Sequence, residues 1–145
     1  MRAVLFHFLA AGFFLIMAIK PASAQVEYQV HDTIEEVKVE YRWQRERFFS
    51  SDPNAVLNMR LTNLSDDYMV FSFSPAYYRD GVILYETPEF TACLAPGATI
   101  RGGRAGLRFV AEGITMSTVE QEWFSWDIPY VHTEIVEDCE DREDD

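Results

Sequence analysis

Hydrophobic and polar side chains alternate with a period of two in several segments of the chain. This period places successive side chains on opposite faces of an extended backbone, so each segment is predicted to be a half-buried β-strand. The hydrophobic positions of four such segments are Val37, Val39, Tyr41 and Trp43; Leu57, Met59 and Leu61; Met69, Phe71 and Phe73; and Phe124, Trp126 and Ile128. No segment has the period of 3.6 residues that is typical of an amphipathic helix.

Turn-forming residues separate the predicted strands. Asp80-Gly81 predicts a two-residue hairpin turn before a strand that begins at Val82. Further short strands are predicted at residues 90–94, 98–101 and 107–110. Five of the seven glycines lie within residues 97–113, where they indicate bulges or sharp bends. Together these signals predict an all-β fold, a small antiparallel β-sandwich of about seven strands.

Two short motifs carry a resemblance to a known type of module. Residues 57–66, in which an alternating strand runs into Asn63-Leu64-Ser65-Asp66, resemble the second strand of immunoglobulin-like modules in bacterial exported proteins. Residues 94–99, Leu-Ala-Pro-Gly-Ala-Thr, resemble the Leu-x-Pro-Gly turn that such modules place before a later strand. The resemblance implies an immunoglobulin-like or fibronectin-like sandwich. It transfers no active site, because many functions share this architecture.

Residues 1–24 are predicted to be a cleavable signal peptide. Arg2 provides a short basic region, residues 3–19 are largely apolar, and Ala22-Ser23-Ala24 fits a small-residue cleavage site. The apolar stretch is shorter than the ~20 residues that span a bilayer, which disfavours an uncleaved membrane anchor. The expected product begins at Gln25, has one domain at residues 25–139 and a disordered acidic tail at residues 140–145. It would be periplasmic, cell-surface or extracellular, with no membrane span.

The charge of the mature chain limits its partners. Cleavage would remove Arg2 and Lys20 and leave 24 acidic against 10 basic residues, a net charge of −14. Such a surface repels nucleic acid and anionic lipid, so neither is expected to bind. Residues 134–145 hold eight acids and one base. They are interpreted as a disordered, solubilising segment, with weak calcium binding as the alternative.

The two cysteines, Cys93 and Cys139, are predicted to form a disulfide, since both would lie in an oxidising compartment. The bond would close a loop of about 45 residues and stabilise the fold by about 4 kcal/mol in the chain-entropy model. A reactive thiol is the alternative. It is disfavoured because the neighbouring carboxylates of Asp138 and Glu140 would raise the pKa of the Cys139 thiol.

No catalytic, metal-binding or phosphate-binding motif is found, so no cofactor and no metal are expected. His31 and His132 lack a second ligand at metal-site spacing and are interpreted as surface residues. The glycine-rich stretch around Arg104 lacks the Lys and the Ser or Thr of a phosphate loop. Glu120 and Glu122 beside a tryptophan leave a carbohydrate-active enzyme as one alternative.

Aromatic residues outside the predicted core form the candidate binding surface. The inward row of the last predicted strand leaves Trp123 pointing outward and partly exposed, and two consecutive tyrosines must face opposite sides of their strand. The candidate residues are Trp123, Tyr77, Tyr78 and Tyr85. Exposed aromatic rings stack on sugars or dock protein partners. The sequence therefore predicts an exported, non-catalytic binding module for a protein or glycan, with a structural envelope or assembly component as the other alternative.

Overall fold

The computed structural model describes residues 27–46 and 51–140, and this part of the chain is an all-β protein. The predicted signal peptide and residues 141–145 of the predicted tail lie outside the described residues. The described residues form eleven strands, more than the seven predicted. They are β1 Gln29–Ile34, β2 Val37–Arg45, β3 Asn54–Asn63, β4 Tyr68–Phe73, β5 Ala76–Arg79, β6 Val82–Glu86, β7 Phe90–Leu94, β8 Thr99–Arg101, β9 Arg108–Thr115, β10 Phe124–Asp127 and β11 Val131–Val136.

The strands form three antiparallel sheets. One sheet has the order β1-β2-β3, followed by β8 and β9, which pair with successive parts of β3. The second sheet has the order β10-β5-β6 and the third the order β11-β4-β7. This arrangement is compatible with a β-sandwich.

Helical structure within the described residues is confined to short connections. The α-helix α1, Met116–Val119, links β9 to β10, and a 3₁₀ turn, Gly103–Ala105, links β8 to β9. Neither has the length or the apolar character of a membrane-crossing segment, and no other helix of the described chain does.

One hydrophobic core joins side chains from all three sheets. β3 contributes Leu57, Met59 and Leu61, and β4 contributes Phe71 and Phe73, each less than 2% exposed. These are the inward positions that the period of two predicts. Full burial of a Leu or Phe side chain contributes about 1.5–3 kcal/mol, so this alternating pattern is the main stabilising feature of the fold.

The buried side chain of Asn63 holds the connection between β3 and β4. Its Nδ2 donates to the backbone carbonyls of Asp67, Leu94 and Ala95 at 2.8, 3.1 and 3.2 Å. Its Oδ1 accepts from the backbone N–H and the hydroxyl of Ser65 at 2.9 and 2.8 Å. Leu94 and Ala95 belong to the second motif of the sequence, so Asn63 joins the two motifs directly.

The hairpin predicted at Asp80-Gly81 is confirmed. Arg79 pairs with Val82 across the turn. Asp80 and Gly81 have φ values of 48° and 80°. A two-residue turn of type I′ requires positive φ at both positions, which explains the choice of Asp-Gly here.

A disulfide joins Cys93 in β7 to Cys139, as predicted. β4 lies between β7 and β11 and pairs with both, so the bond ties the chain beyond β11 to the far side of the same sheet. Glu134 pairs with Val70 of β4. The start of the acidic segment, residues 134–136, is therefore ordered by β-pairing, which corrects the prediction that the segment is disordered from residue 134.

Loss of the disulfide should lower stability substantially. Cys93 and Cys139 are 46 positions apart in the sequence. A disulfide that closes a loop of this length stabilises the folded protein by about 4 kcal/mol before strain is counted. We expect the double variant Cys93→Ser with Cys139→Ser to lose about 2–4 kcal/mol of unfolding free energy in urea titration, and reductant to have the same effect on the native protein. A native protein whose transition is insensitive to reductant would contradict this assignment.

Replacing Asn63 by Ala should be more damaging than its small size suggests. The change removes the hydrogen bonds that Asn63 makes to the Leu94 carbonyl and to the buried N–H of Ser65, and a buried polar group left without a partner costs about 1–3 kcal/mol. We expect a loss of about 3 kcal/mol or more by urea titration. Leu64→Ala is the matched control, because Leu64 is 55% exposed and its truncation should change stability by about 0.5 kcal/mol or less. Equal effects of the two changes would refute the role given to Asn63.

Candidate functional site

The four candidate aromatic residues gather around the sheet of β10, β5 and β6. Tyr77 and Tyr78 lie in β5, Tyr85 lies in β6, and Trp123 immediately precedes β10. The structure therefore places all four on one sheet, although it exposes them unequally.

Tyr77 is not part of any surface, which corrects its assignment as a candidate binding residue. Its side chain is fully buried, and its ring stacks against Tyr85 and Phe124 with centroid distances of 6.1 and 6.2 Å. No polar atom of the described residues lies within hydrogen-bond distance of its hydroxyl. Burial, with a smaller contribution from Tyr85, raises the pKa of Tyr77 far above its ordinary value. The buried ring of Tyr77 instead packs against the exposed ring of Tyr85.

Tyr78 faces the opposite side of β5 and is half-buried. It pairs with Ile83 of β6, so the two side chains share the outer face of the sheet. Desolvation raises the pKa of Tyr78, and the nearby carboxylates of Asp127 and Glu86 raise it further. Its phenol is therefore a neutral hydrogen-bonding group beside two negative charges at neutral pH.

Trp123 is partly exposed, as predicted. The guanidinium of Arg79 lies over its ring at 4.5 Å from the centroid, which is a cation–π geometry. The Trp123 carbonyl also accepts from the backbone N–H of Asp80 at 2.9 Å. These contacts fix Trp123 against the hairpin turn between β5 and β6.

The most exposed apolar residues of this sheet lie on β6. Val82, Ile83, Leu84 and Tyr85 are 68%, 55%, 43% and 40% exposed. β6 is also the edge of its sheet. An edge strand presents unpaired backbone N–H and C=O groups. We call the five residues Tyr78, Val82, Ile83, Leu84 and Tyr85 the β6 surface.

The sequence predicts the strand at Val82 and the exposure of Tyr85, but not the exposure of Val82, Ile83 and Leu84. Four consecutive apolar residues are typical of a strand that is buried on both faces. The exposed side chains on both faces of β6 show that neither face is fully covered.

A cleft of about 410 Å³ adjoins one end of β6. Its lining includes the aromatic residues Tyr85, Phe90 and Phe109, and its charged groups are Glu89 and Arg108. Thr87 also lines it and carries a buried hydroxyl without a partner among the described residues. A cleft of this composition holds one bulky side chain or a small ring, with charged groups to orient it.

His31 is not the simple surface residue that was predicted. It is half-buried, its ring stacks on Trp126 at 4.3 Å, and its Nε2 lies 3.2 Å from Oδ1 of Asp127. His31 belongs to β1 and Trp126 to β10, so this contact connects two sheets. The imidazole of His31 therefore packs against the Trp126 ring, and His31 is a packing residue.

The two carboxylates that left a carbohydrate-active enzyme as an alternative lie on the surface. Glu120 and Glu122 are exposed and make no hydrogen bond to another described side chain. No group of three or more His, Cys, Asp or Glu in the described ranges is placed to hold a metal ion. Comparisons of the chain with protein-family models, with curated proteins and with solved structures found no match.

Removing the hydroxyl of Tyr77 should stabilise the protein. A buried hydroxyl without a partner costs about 1–3 kcal/mol, and Tyr77→Phe removes this cost while it keeps the ring stacking. We expect the free energy of unfolding to rise by about 1 kcal/mol in urea titration. Tyr77→Ala serves as the comparison and should lose about 3–5 kcal/mol. Destabilisation by Tyr77→Phe would show that the hydroxyl has a partner.

Proposed function

We propose that this protein is an exported, non-catalytic binding module of immunoglobulin-like type, and that it binds an extended segment of a partner protein along the edge of β6. The observation that carries the proposal is the β6 surface, where four consecutive apolar side chains are exposed on an unpaired edge strand. Proteins usually protect such edges with charges, proline or a covering element, because they template strand pairing. An edge left apolar and open is suited to strand addition.

The surroundings of β6 indicate the chemistry of the segment. Backbone pairing along β6 would provide affinity, while alternate side chains of the added strand would contact Tyr78 and Ile83 on one face. The cleft beside Tyr85 would receive a larger side chain from the same segment. An extended segment with alternating apolar residues and at least one bulky side chain fits these features.

Charge complementarity adds a second criterion. Asp80 precedes β6, Glu86 ends it and Glu89 lines the cleft, and all three are exposed. Basic residues flanking the apolar positions of the partner segment would pair with these carboxylates and increase the rate of association. The chain itself carries a net charge of −12, so a second copy of β6 brings like charges to the same place.

Further observations support the immunoglobulin-like type of the domain and its export. The contacts of Asn63 join the two motifs that resemble immunoglobulin-like modules, which supports that type of sandwich. The disulfide and the lack of a membrane-crossing helix among the described residues are consistent with export.

Selection from a random peptide display library against the disulfide-bonded protein tests the function. We expect enriched peptides with alternating apolar residues and flanking Lys or Arg. Ile83→Lys should weaken a selected synthetic peptide at least tenfold, because it places a charge within the apolar contact. Ile135→Lys is the matched control, since Ile135 is 67% exposed on the edge strand of another sheet. Its affinity for the peptide should stay within twofold of the unmodified protein.

Three outcomes would refute the proposal. One is that no peptide is enriched over an unrelated protein, and another is that Ile83→Lys and Ile135→Lys weaken binding equally. The third is a concentration-dependent dimer in sedimentation that Ile83→Lys dissociates. That result would assign β6 to self-assembly and support a structural role.

A further inference from the structure

The outer face of the five-stranded sheet carries a cluster of basic residues in an otherwise acidic protein. Strand pairing aligns Glu40 with Arg60 and Arg60 with Arg101, so these three side chains form one row across the sheet. The next row contains Arg42, Asn58 and Arg108. We call the five cations of this face the basic strip, namely Lys38, Arg42, Arg60, Arg101 and Arg108.

Glu40 neutralises only part of the strip. Its side chain is 4% exposed and receives two hydrogen bonds from Arg60, at 2.7 and 2.6 Å. Its Oε1 also lies 3.1 Å from Nζ of Lys38. The Arg60 hydrogen bond lowers the pKa of Glu40 despite desolvation, so Glu40 stays negative at neutral pH. Glu40 thus pairs with two of the five cations, and Glu27 lies near Arg60.

Arg101 and Arg108 remain exposed, and no described carboxylate forms an ion pair with either of them. Arg101 also lies directly opposite Arg60 in the β3–β8 pairing. Like charges at directly opposite positions destabilise a sheet. In a chain with twice as many acidic as basic residues, Arg101 and Arg108 are cations that a bound anion would pair with.

The strip also carries groups that bind sugars. The Tyr28 ring lies against both the Arg42 and the Arg60 guanidinium, each 4.6 Å from its centroid. Hydroxyls of Thr62 and Thr99 lie in the row beside Lys38 and contact each other at 2.9 Å. Hydroxyls and guanidinium groups on a flat face are suited to a chain that has both hydroxyls and negative charges.

We propose that the basic strip binds an acidic polysaccharide, a chain of sugars bearing carboxylate or sulfate groups. Neighbouring strands are about 4.8 Å apart and alternate residues along a strand about 6.7 Å apart. The cations therefore form a grid that a linear polyanion crosses with several contacts at once. Screening over about 8 Å at physiological salt limits the repulsion from the other negative charges of the protein.

Affinity for heparin and for polygalacturonate, measured with the intact protein at low salt, tests this proposal and separates sulfate from carboxylate recognition. Binding of either polymer supports it, and affinity should fall steeply with added salt. Lys38→Gln and Arg101→Gln should each weaken the bound polymer about three- to tenfold. Arg45→Gln is the matched control: it removes the same charge from the exposed end of β2 but from the opposite face of the strand, and should change affinity less than twofold.

Thermal unfolding of each variant checks that the fold is retained, and the exposed positions of the changes make this the expected result. Absence of binding to both polymers at low salt would overturn the proposal. Equal losses for Arg45→Gln and Arg101→Gln would also overturn it, since binding would then depend on net charge alone. Tighter binding to duplex DNA of equal charge would assign the strip to nucleic acid instead. None of these results depends on peptide binding at β6.

Discussion

The buried amide of Asn63 is the interaction on which the rest of the fold depends. The chain leaves the five-stranded sheet at the end of β3 and enters another sheet at β4, and the core forms only if this crossing has one geometry. Asn63 supplies it by bonding to backbone groups on both sides of the crossing and to the turn after β7. A buried hydrogen-bond network of this kind stabilises the fold, because each carbonyl left without a donor would lower the stability. It therefore specifies which apolar faces meet.

The two faces of β3 have different roles, one in the core and one on the surface. Its inward side chains, Leu57, Met59 and Leu61, are fully buried in the core. Its outward side chains include Arg60, whose pairing with Glu40 makes that face a place where charge is concentrated. One strand thus fixes the position of the basic strip relative to the core, and the period of two is what divides the two roles.

Much of the fold is predictable from the alternation, and the failures have physical causes. The strand at Phe90–Leu94 and the hairpin at Asp80-Gly81 are confirmed, because local residues determine both. β1 and β11 were not predicted, since a bulge interrupts the pairing of β1 and β11 reads as part of the acidic tail. Tyr77 was assigned to the surface because two adjacent tyrosines are equivalent in sequence. Only the packing of Phe124 shows which one is inside.

The basic strip could not be predicted from the sequence, for a different reason. Its members are spread over residues 38–108, and composition reports only that the chain is acidic. Strand register is a long-range property, and it alone brings Arg60 and Arg101 to opposite positions. Arg108 of the strip also lines the cleft beside β6, whereas the residues that flank β6, Asp80 and Glu86, are acidic. A polyanion suited to the strip would be repelled at β6, and a basic segment suited to β6 would be repelled at the strip. The two surfaces therefore select ligands of opposite charge, and one protein of this fold could connect them.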